Sequence, residues 1–402
     1  MGITIQGLFQ EHFAALKATR PLSRDMWRAG VRLRDCRTSK LGIHVTRCPD
    51  GHVSSIAYNS CRHRCCKVCS GLERERWMLR WDTRLLPCPH HHVVFTIPHE
   101  LLDLWRYNKK TLASILFAAA SQTLRELLAD PKYCGARVGL LAALHTWSQT
   151  LAAHVHLHVL VTAGGLDSSN HWKPAIKNCL LPRKVVMIVF RGKFREFTMR
   201  AIQQGKLEIP PTTTASYWIG QLNRLGRVPW NVKVFDRYKH GQGVARYLAR
   251  YLRGGPIGSH RLISCTEGKV RFRYRVSAKA NADRTRQGVM PLDTTEFLHR
   301  FLEHMPPRRM QTVRGYGLYA GNQHSHLAEA FTALGSTPPD LSSGPVGMTE
   351  LLEQLGLDPS LNCCPICGKQ LIIERESRPY WRSARSPPPL LQPSSTLVGT
   401  PA

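Results

Sequence analysis

Residues 154–161 read HVHLHVLV and place histidines at alternate positions in an apolar run. Because successive side chains of a β-strand point to opposite faces, the histidines share one face of the predicted strand, and the residues between them line the other face. These histidines are His154, His156 and His158. A half-exposed strand can carry histidines that have no function, but strict alternation favours a metal-binding or catalytic role.

The chain is strongly basic. Its 402 residues include 56 lysines and arginines against 27 aspartates and glutamates, which gives a formal net charge of +29. A field of this sign favours a polyanionic partner, and nucleic acid is the usual one. The alternatives are a basic surface that is only solvated and one that sits on anionic lipid.

The sequence also bears on the compartment and on the cysteines. No uninterrupted apolar run approaches the length that a membrane span needs, and the first residues lack the basic and apolar regions of a secretory signal. We therefore expect an intracellular protein whose 13 cysteines are reduced thiols or metal ligands rather than disulfides.

Periodicity predicts a mixture of helices and strands. Apolar residues at helical spacing predict helices within residues 1–35 and one long helix over residues 101–130. Apolar or alternating runs predict strands in HHHVVFTIPHEL, ARVGLLAALHTW and KVRFRYRVSA. From about residue 335 the composition changes to a linker, STPPDLSSGPVG, and we expect the last residues to form a disordered tail.

Residues 48–69, CPDGHVSSIAYNSCRHRCCKVC, are the densest in cysteine and end in a C-x-x-C pair. We expect a structural Zn²⁺ here, because zinc prefers four nitrogen or sulfur ligands and folds segments too small to hold together alone. The predicted donors are Cys48, His52, Cys61, Cys66 and Cys69. Cys65 leaves the choice of four ligands open, and Cys36 and His44 are further candidates that could build a second site.

Residues 363–371, CCPICGKQL, offer a further C-x-x-C pair formed by Cys364 and Cys367. The pair is half of a zinc ribbon, and no second pair follows it. An ion at this pair would therefore need other ligands, such as Cys363 or a distant histidine.

Residues 241–255, GQGVARYLARYLRGG, are predicted to be helical up to residue 253. Tyr247 and Tyr251 are four residues apart and would share a face of that helix. Three arginines that suit a phosphate backbone accompany them. They are Arg246, Arg250 and Arg253. Taken alone, the tyrosine spacing favours a packing pair, and the histidine strand in the same chain is what favours chemistry.

Histidines, a divalent metal and a tyrosine can together cut nucleic acid. The metal polarises the scissile phosphate, and the tyrosine hydroxyl attacks it, which leaves a phosphotyrosine and a free 3′-OH. Because the phosphoester energy is kept, the strand can be rejoined elsewhere, and a second tyrosine allows a second cleavage. The third metal ligand is His154 or a residue near the tyrosines, such as Gln242.

At these residues the chain resembles the HUH (His-hydrophobe-His) single-strand endonucleases, and among them the two-tyrosine transposases of the insertion sequence 91 family. The resemblance covers about residues 30–325. YNSCRHRCCKVC is similar to the family's zinc motif, and HHHVVFTIPHEL, VFRGKF, RYLARY and VRGYGLYAGN are similar to its other blocks. The family commonly has a further cysteine where this chain has PDGH, so one zinc ligand is His52 or is missing.

The resemblance implies an α+β fold with an antiparallel sheet flanked by helices, related to the RNA-recognition fold. It implies His156 and His158 as the HUH pair, His154 as the preceding histidine, and Tyr247 and Tyr251 as nucleophiles. It also implies Mg²⁺ or Mn²⁺ in the active site. The expected activity is rolling-circle-like transposition through single-stranded or hairpin DNA in a bacterial cytoplasm, with neither a membrane nor a small-molecule substrate.

We expect three domains. Residues 1–88 would form a helical, zinc-binding and DNA-binding domain, residues 89–334 the HUH catalytic domain, and residues 335–402 a linker, a partial zinc ribbon and the disordered tail. A plasmid replication initiator or relaxase shares this chemistry and differs in the DNA end that it recognises. A non-catalytic zinc protein that binds nucleic acid is the alternative from another class.

Overall fold

A computed structural model of the chain shows two compact units. Unit 1 comprises residues 1–34 and 62–346, and unit 2 comprises residues 35–61 and 347–402. The described residues are 2–175, 180–238, 255–276, 287–340 and 346–376. The predicted tyrosine helix and the predicted C-terminal tail lie outside them. The division into three domains stays a prediction.

Helices and strands are mixed along the chain, as the sequence predicts. The described helices are α1 (Ile5–Thr19), α2 (Arg24–Asp35), α3 (Gly71–Arg84), α4 (Leu102–Tyr107), α5 (Lys109–Ala129), α6 (Arg183–Gln203), α7 (Ala215–Leu225), α8 (Thr294–Glu303), α9 (His324–Ala333) and α10 (Met348–Gln354). The described strands are β1 (Ile43–Arg47), β2 (Ser54–Tyr58), β3 (His90–Thr96), β4 (Arg137–Trp147), β5 (Ala153–Leu166), β6 (Trp172–Pro174), β7 (Val232–Val234), β8 (Leu262–Thr266), β9 (Lys269–Arg275), β10 (Gln287–Asp293), β11 (Val313–Gly317) and β12 (Ile372–Glu376). Among these described helices, none combines the length and the apolar character that crossing a membrane requires.

The main sheet of unit 1 contains the histidine strand at its centre. Its strands run in the order β11-β4-β5-β3-β7, with β6 also paired to β5, and every pair is antiparallel. On one face of β5, Val155, Leu157 and Val159 are at most 1% exposed and join the core formed with α5 and α6. This confirms the apolar face predicted from the alternating sequence.

The opposite face of the same sheet is divided between a second core and the histidines. Leu160 of β5 packs there with Tyr319 and with residues of α3 and α9. Two and four positions before Leu160, the same face carries His158 and His156. The apolar cluster therefore fixes one half of the face and leaves the other half to imidazole rings.

The long helix predicted over residues 101–130 is in fact two helices, α4 and α5, interrupted at Asn108. The Asn108 side-chain amide donates to the carbonyls of Leu104 and Glu208, at 3.0 and 2.7 Å, and its oxygen accepts from the Glu208 N–H at 2.8 Å. Asparagine competes well for backbone hydrogen bonds. Here it ties the break to a segment 100 residues away, which periodicity within one helix cannot indicate.

Two three-stranded sheets complete the fold, in the orders β10-β9-β8 in unit 1 and β12-β1-β2 in unit 2. Strand β9 alternates as its sequence predicts, with Val270 and Phe272 buried and the residues between them exposed. In unit 2, β12 pairs antiparallel with β1, so that Arg47 lies opposite Ile372.

Candidate active site

Three histidines from two neighbouring strands converge on one face of the main sheet. Strand β4 pairs with β5 so that His145 lies directly opposite His156. The third member, His158, lies two residues further along β5. The ring centroids of His145 and His158 are 4.2 Å apart, and those of His156 and His158 are 4.8 Å apart. One ring nitrogen from each of the three lies within 4.8 Å of the others.

The three imidazoles are uncharged at neutral pH. Burial lowers the pKa of His156 to about 4 and, together with the neighbouring histidines, that of His158 to about 2. Burial also lowers the pKa of His145 well below its usual value. A neutral imidazole offers a lone pair to a metal ion, whereas an imidazolium does not. The donor set therefore fits a divalent transition-metal ion.

Hydrogen bonds orient His156 and His158, the two members of this group that lie on β5. The Nδ1 of His156 donates to the carbonyl oxygen of His154 at 2.8 Å, so its Nε2 is the ring nitrogen with the lone pair. The Nδ1 of His158 lies 2.8 Å from the Nε2 of His92 on β3. The His92 ring is itself stacked on Phe235, with 5.0 Å between centroids. Such outer partners are the usual means of orienting metal-binding histidines.

His154, a predicted metal ligand, is exposed and lies outside this group of three. Its ring centroid is 4.8 Å from that of His156. The tyrosines and arginines predicted to act with the histidines fall outside the described residues, as does Gln242. They are Tyr247, Tyr251, Arg246, Arg250 and Arg253.

His90, another histidine of β3, has a structural environment. Its Nδ1 donates to the carbonyl of Cys88 at 2.8 Å, and its Nε2 accepts from the Tyr319 hydroxyl at 2.8 Å. The same hydroxyl accepts from the backbone N–H of Leu86 at 3.0 Å. Because both ring nitrogens are used, His90 holds the second core together and is not available as a ligand.

The predicted zinc ligands do not form one site. Cys61 lies with Cys36 in unit 2, where the backbone N–H of Cys61 donates to the Cys36 sulfur at 3.4 Å. Cys66 and Cys69 form the C-x-x-C pair of unit 1. Cysteines of this kind are the usual ligands of structural zinc.

The other predicted zinc ligands, Cys48 and His52, lie with Cys364 and Cys367. Two candidates remain, Cys65 and His44. Cys65 precedes Cys66 in the sequence and is buried. The Nδ1 of His44 is 3.0 Å from the side-chain oxygen of Asn59.

Strand β9 presents a row of cations on the exposed side of its sheet. The exposed positions alternate with buried ones, so their side chains share a face. They are Lys269, Arg271, Arg273 and Arg275. A row of this kind suits the regular spacing of phosphates along a nucleic acid backbone.

Two histidines of the candidate active site were not identified from the sequence. His145 stands alone in ARVGLLAALHTW, and His92 is one of three consecutive histidines in HHHVVFTIPHEL. Each histidine belongs to a predicted strand that could pair with the histidine strand, and this is the only indication that the sequence offers. The register that places His145 and His92 beside the histidines of β5 is set by the whole sheet.

Comparison with known proteins gives matches over most of the chain. Residues 139–326 match a family model described as "Putative transposase", and residues 8–97 match one described as "Transposase zinc-binding domain". "Putative transposase y4qJ" of Sinorhizobium fredii is 33% identical over 385 residues, which cover 93% of this chain and 95% of that protein. "Transposase for insertion sequence element IS801" of Pseudomonas savastanoi pv. phaseolicola is 29% identical over 351 residues, covering 84% and 80%. No solved structure matches.

These matches agree with the fold and with the cysteines. The matched zinc-binding domain contains Cys36, Cys61, Cys66 and Cys69, which supports a structural Zn²⁺ in this part of the chain. Both relatives carry the name transposase, and the matches cover most of their length. The chain is therefore an enzyme that acts on DNA. It belongs to the insertion sequence 91 family of transposases and carries the zinc-binding domain of that family.

Proposed function

We propose that this transposase cleaves and rejoins single-stranded DNA at a divalent metal ion bound by His145, His156 and His158. The convergence of their three ring nitrogens within 4.8 Å carries the proposal. All three imidazoles are neutral because burial or partial burial lowers their pKa, and two of them are oriented by hydrogen bonds through the other ring nitrogen. In this assignment His145 takes the third ligand position, in place of His154 or Gln242.

The bound ion would act as a Lewis acid that polarises the scissile phosphate. Tyr247 and Tyr251 are the proposed nucleophiles. The tyrosine oxygen forms a bond to phosphorus and releases its proton to solvent. The bond from phosphorus to the 3′ oxygen breaks, and that oxygen takes up a proton from solvent and leaves as a 3′-OH. The DNA is then linked to the protein through a 5′-phosphotyrosine. Attack of another 3′-OH on this link reverses the step and joins the strand elsewhere.

Two tyrosines allow two such links to exist at once. One tyrosine can hold the first cleaved end while the other cleaves the second, as rolling-circle-like transposition requires. The proposed substrates are single-stranded or hairpin ends of the element, in the cytoplasm of a bacterium and on its nucleoid DNA. Arg246, Arg250 and Arg253 would bind phosphates next to the cleavage point.

The row of cations on β9 is the second proposed DNA contact. Its four side chains are exposed and share one face, and the whole chain carries a formal charge of +29. Contacts of this kind position a strand without reading its sequence. We therefore expect the β9 row to add affinity and not specificity.

The ligand set bears on which ion serves best. Imidazole nitrogens favour later first-row ions, whereas Mg²⁺ prefers oxygen ligands and keeps several waters. With three histidines as ligands, Mn²⁺ should support cleavage at a lower concentration than Mg²⁺. A site with a carboxylate ligand would reduce that difference.

The test is cleavage of a labelled single-stranded oligonucleotide that contains the element end. His145→Ala and His156→Ala should each abolish the nick and leave DNA binding largely intact, because each removes a metal ligand. His154→Ala is the matched control, since it removes an exposed histidine from the same strand face and should cleave normally. Wild-type cleavage by His145→Ala, or loss of cleavage only in His154→Ala, would overturn the ligand assignment.

A further inference from the structure

Unit 2 brings together two short turns that are far apart in the sequence. One turn joins β1 to β2 and carries Cys48 and His52, and the other precedes β12 and carries Cys364 and Cys367. Three sulfur atoms and one imidazole nitrogen from these residues lie within 4.8 Å of one another. The matched family ranges, residues 8–97 and 139–326, do not reach the second turn.

The distances between the ligand atoms are within about 0.5 Å of those of a tetrahedral zinc site. Zinc bonds of about 2.3 Å to sulfur and about 2.0 Å to nitrogen place tetrahedral ligands about 3.8 Å apart for two sulfurs and about 3.5 Å for sulfur and nitrogen. The sulfurs of Cys48 and Cys367 are 3.4 Å apart. The Nδ1 of His52 is 3.8 Å from the Cys48 sulfur and 4.0 Å from the Cys364 sulfur.

Both turns have a backbone shaped to present their ligands. In the first, the Gly51 N–H donates to the Cys48 carbonyl at 2.9 Å. In the second, the Gly368 N–H donates to the Cys364 carbonyl at 2.8 Å, and the Ile366 N–H points at the Cys364 sulfur at 3.4 Å. A backbone N–H directed at sulfur favours the thiolate that a metal needs.

Each turn contains a glycine in the left-handed region of backbone conformation. Gly51 has φ of +78° and Gly368 has φ of +71°, a region that residues with a Cβ rarely adopt. Each turn therefore depends on a glycine, and each contributes two ligands.

The pairing of β1 with β12 brings the two turns side by side, and the side-chain interactions between them, apart from the cluster itself, are weak. The sulfurs of Cys48 and Cys367, at 3.4 Å, are well beyond the length of about 2.05 Å of a disulfide. Lys369 and Asp50 form an ion pair of 2.7 Å, but both side chains are exposed, and such pairs contribute little to stability.

The described part of unit 2 also has little apolar core. On its sheet, Ile56 is 70% exposed, Ile372 is 51% exposed and Ile373 is 62% exposed. A small unit that leaves strand isoleucines in water cannot draw much stability from apolar burial. Metal binding is the usual source of folding free energy in units of this kind.

We propose that unit 2 holds a second structural Zn²⁺, bound by Cys48, His52, Cys364 and Cys367 and not by the other cysteines of the matched zinc-binding domain. Three thiolates and one imidazole are a closed set that leaves no position for water, so the site is structural and not catalytic. The ion would fasten the turn before β12 to the turn after β1 and so hold the C-terminal strand in its sheet.

The first test is zinc analysis of the full-length protein and two variants. Cys364→Ser/Cys367→Ser should hold one zinc ion per chain fewer than wild type. Cys363→Ser is the matched control, because Cys363 is adjacent in sequence, lies outside the cluster and should leave the zinc content unchanged. Equal zinc in the double variant and wild type, or loss of one ion in Cys363→Ser, would overturn the proposal.

A second test keeps the result interpretable if the double variant folds poorly. In the Co²⁺-substituted full-length protein, His52→Cys should retain the ion and raise the thiolate-to-cobalt absorption by the share of one added thiolate. An unchanged spectrum would show that residue 52 is not a ligand. Mass measurement of the unreduced protein should find these cysteines as free thiols, and a disulfide between Cys48 and Cys367 would also overturn the proposal.

Discussion

The Nε2 of His92 lies 2.8 Å from the Nδ1 of His158, across two neighbouring strands of the main sheet. Burial lowers the pKa of His92 to about 4, so both rings are neutral and one donates to the other. If His158 binds the metal through Nε2, its Nδ1 carries the proton and His92 must accept it. The pair therefore fixes the tautomer that the proposed metal site needs.

His92→Phe should weaken metal binding and leave the cleavage step itself intact. Phenylalanine keeps the stack on Phe235 but cannot accept the proton of His158. We expect the metal concentration for half-maximal cleavage to rise by about 10- to 100-fold, with a rate at saturating metal close to that of wild type. His92→Gln, whose amide oxygen can accept the same proton, should recover part of the loss. A metal requirement unchanged in His92→Phe would contradict the role of this residue.

The tyrosine variants test the proposed nucleophiles. Phenylalanine at residue 247 or 251 removes only the attacking oxygen, so each single variant, Tyr247→Phe or Tyr251→Phe, should still nick an element end but fail to complete transfer. The double variant should form no covalent adduct. The measurement is a denaturing gel that detects protein linked to the 5′ side of a labelled strand. An adduct in the double variant would mean that another residue attacks.

The cations of β9 should account for part of the salt dependence of DNA binding. Each single-strand phosphate contact contributes about 0.7 to the slope of log affinity against log salt. Replacing Lys269, Arg271 and Arg273 by glutamine should therefore reduce that slope by about 2. Titrations of one oligonucleotide across a salt series would measure it.

A matched triple variant separates the β9 row from net charge. Lys132, Arg200 and Lys206 are exposed elsewhere in unit 1, and replacing them by glutamine changes the net charge by the same amount. In this second triple variant, the slope of log affinity against log salt should stay near that of wild type. Equal losses in the two triple variants would assign the effect to overall charge and not to β9.

The buried environment of His304 indicates that the free energy of unfolding depends on pH. Its Nε2 donates to the Leu151 carbonyl at 3.0 Å, and its Nδ1 accepts from the Thr146 hydroxyl at 3.2 Å. Burial lowers its pKa from 6.5 to about 4. Above pH 6.5 the ring is neutral in both the folded and the unfolded chain, and its contribution to stability is complete. As the pH falls from 6.5 to about 4, only the unfolded chain takes up the proton, and stability is lost.

The loss attributable to His304 should be on the order of 3 kcal/mol across that window. Zinc thiolates also release their metal in acid, so the comparison must be between variants. His304→Gln should be less stable at pH 7 but should lose less of its free energy of unfolding between pH 7 and pH 5 than wild type. Denaturant unfolding at several pH values gives both quantities. Parallel losses in the two proteins would show that His304 does not contribute.

The histidine strand could be predicted because its information is local. Alternation over residues 154–161 specifies which side chains share a face, and the structure confirms the apolar face. His145 could not be found in this way, since its place opposite His156 depends on the register between two strands. A slip of one residue in that register would turn the ring of His145 to the other face.

The cysteines show the same limit over a longer range. Spacing within residues 48–69 suggests one site, because a loop of that length can close on one ion. The structure instead groups Cys61 with Cys36, and Cys48 with Cys367 on the far side of the catalytic region in sequence. Spacing in the sequence indicates only which ligands a short loop can bring together. The pairing of β1 with β12 is what places Cys367 beside Cys48.

The pairing of β12 with β1 has a consequence for the time course of synthesis. β1 ends at Arg47 and β12 begins at Ile372, and at about 5–20 residues per second the ribosome needs tens of seconds to make the chain between them. During that interval Cys48 and His52 have left the ribosome without their partners. A chain that ends before residue 364 would therefore leave β1 with an unpaired edge and would lack half of the proposed zinc ligands of unit 2.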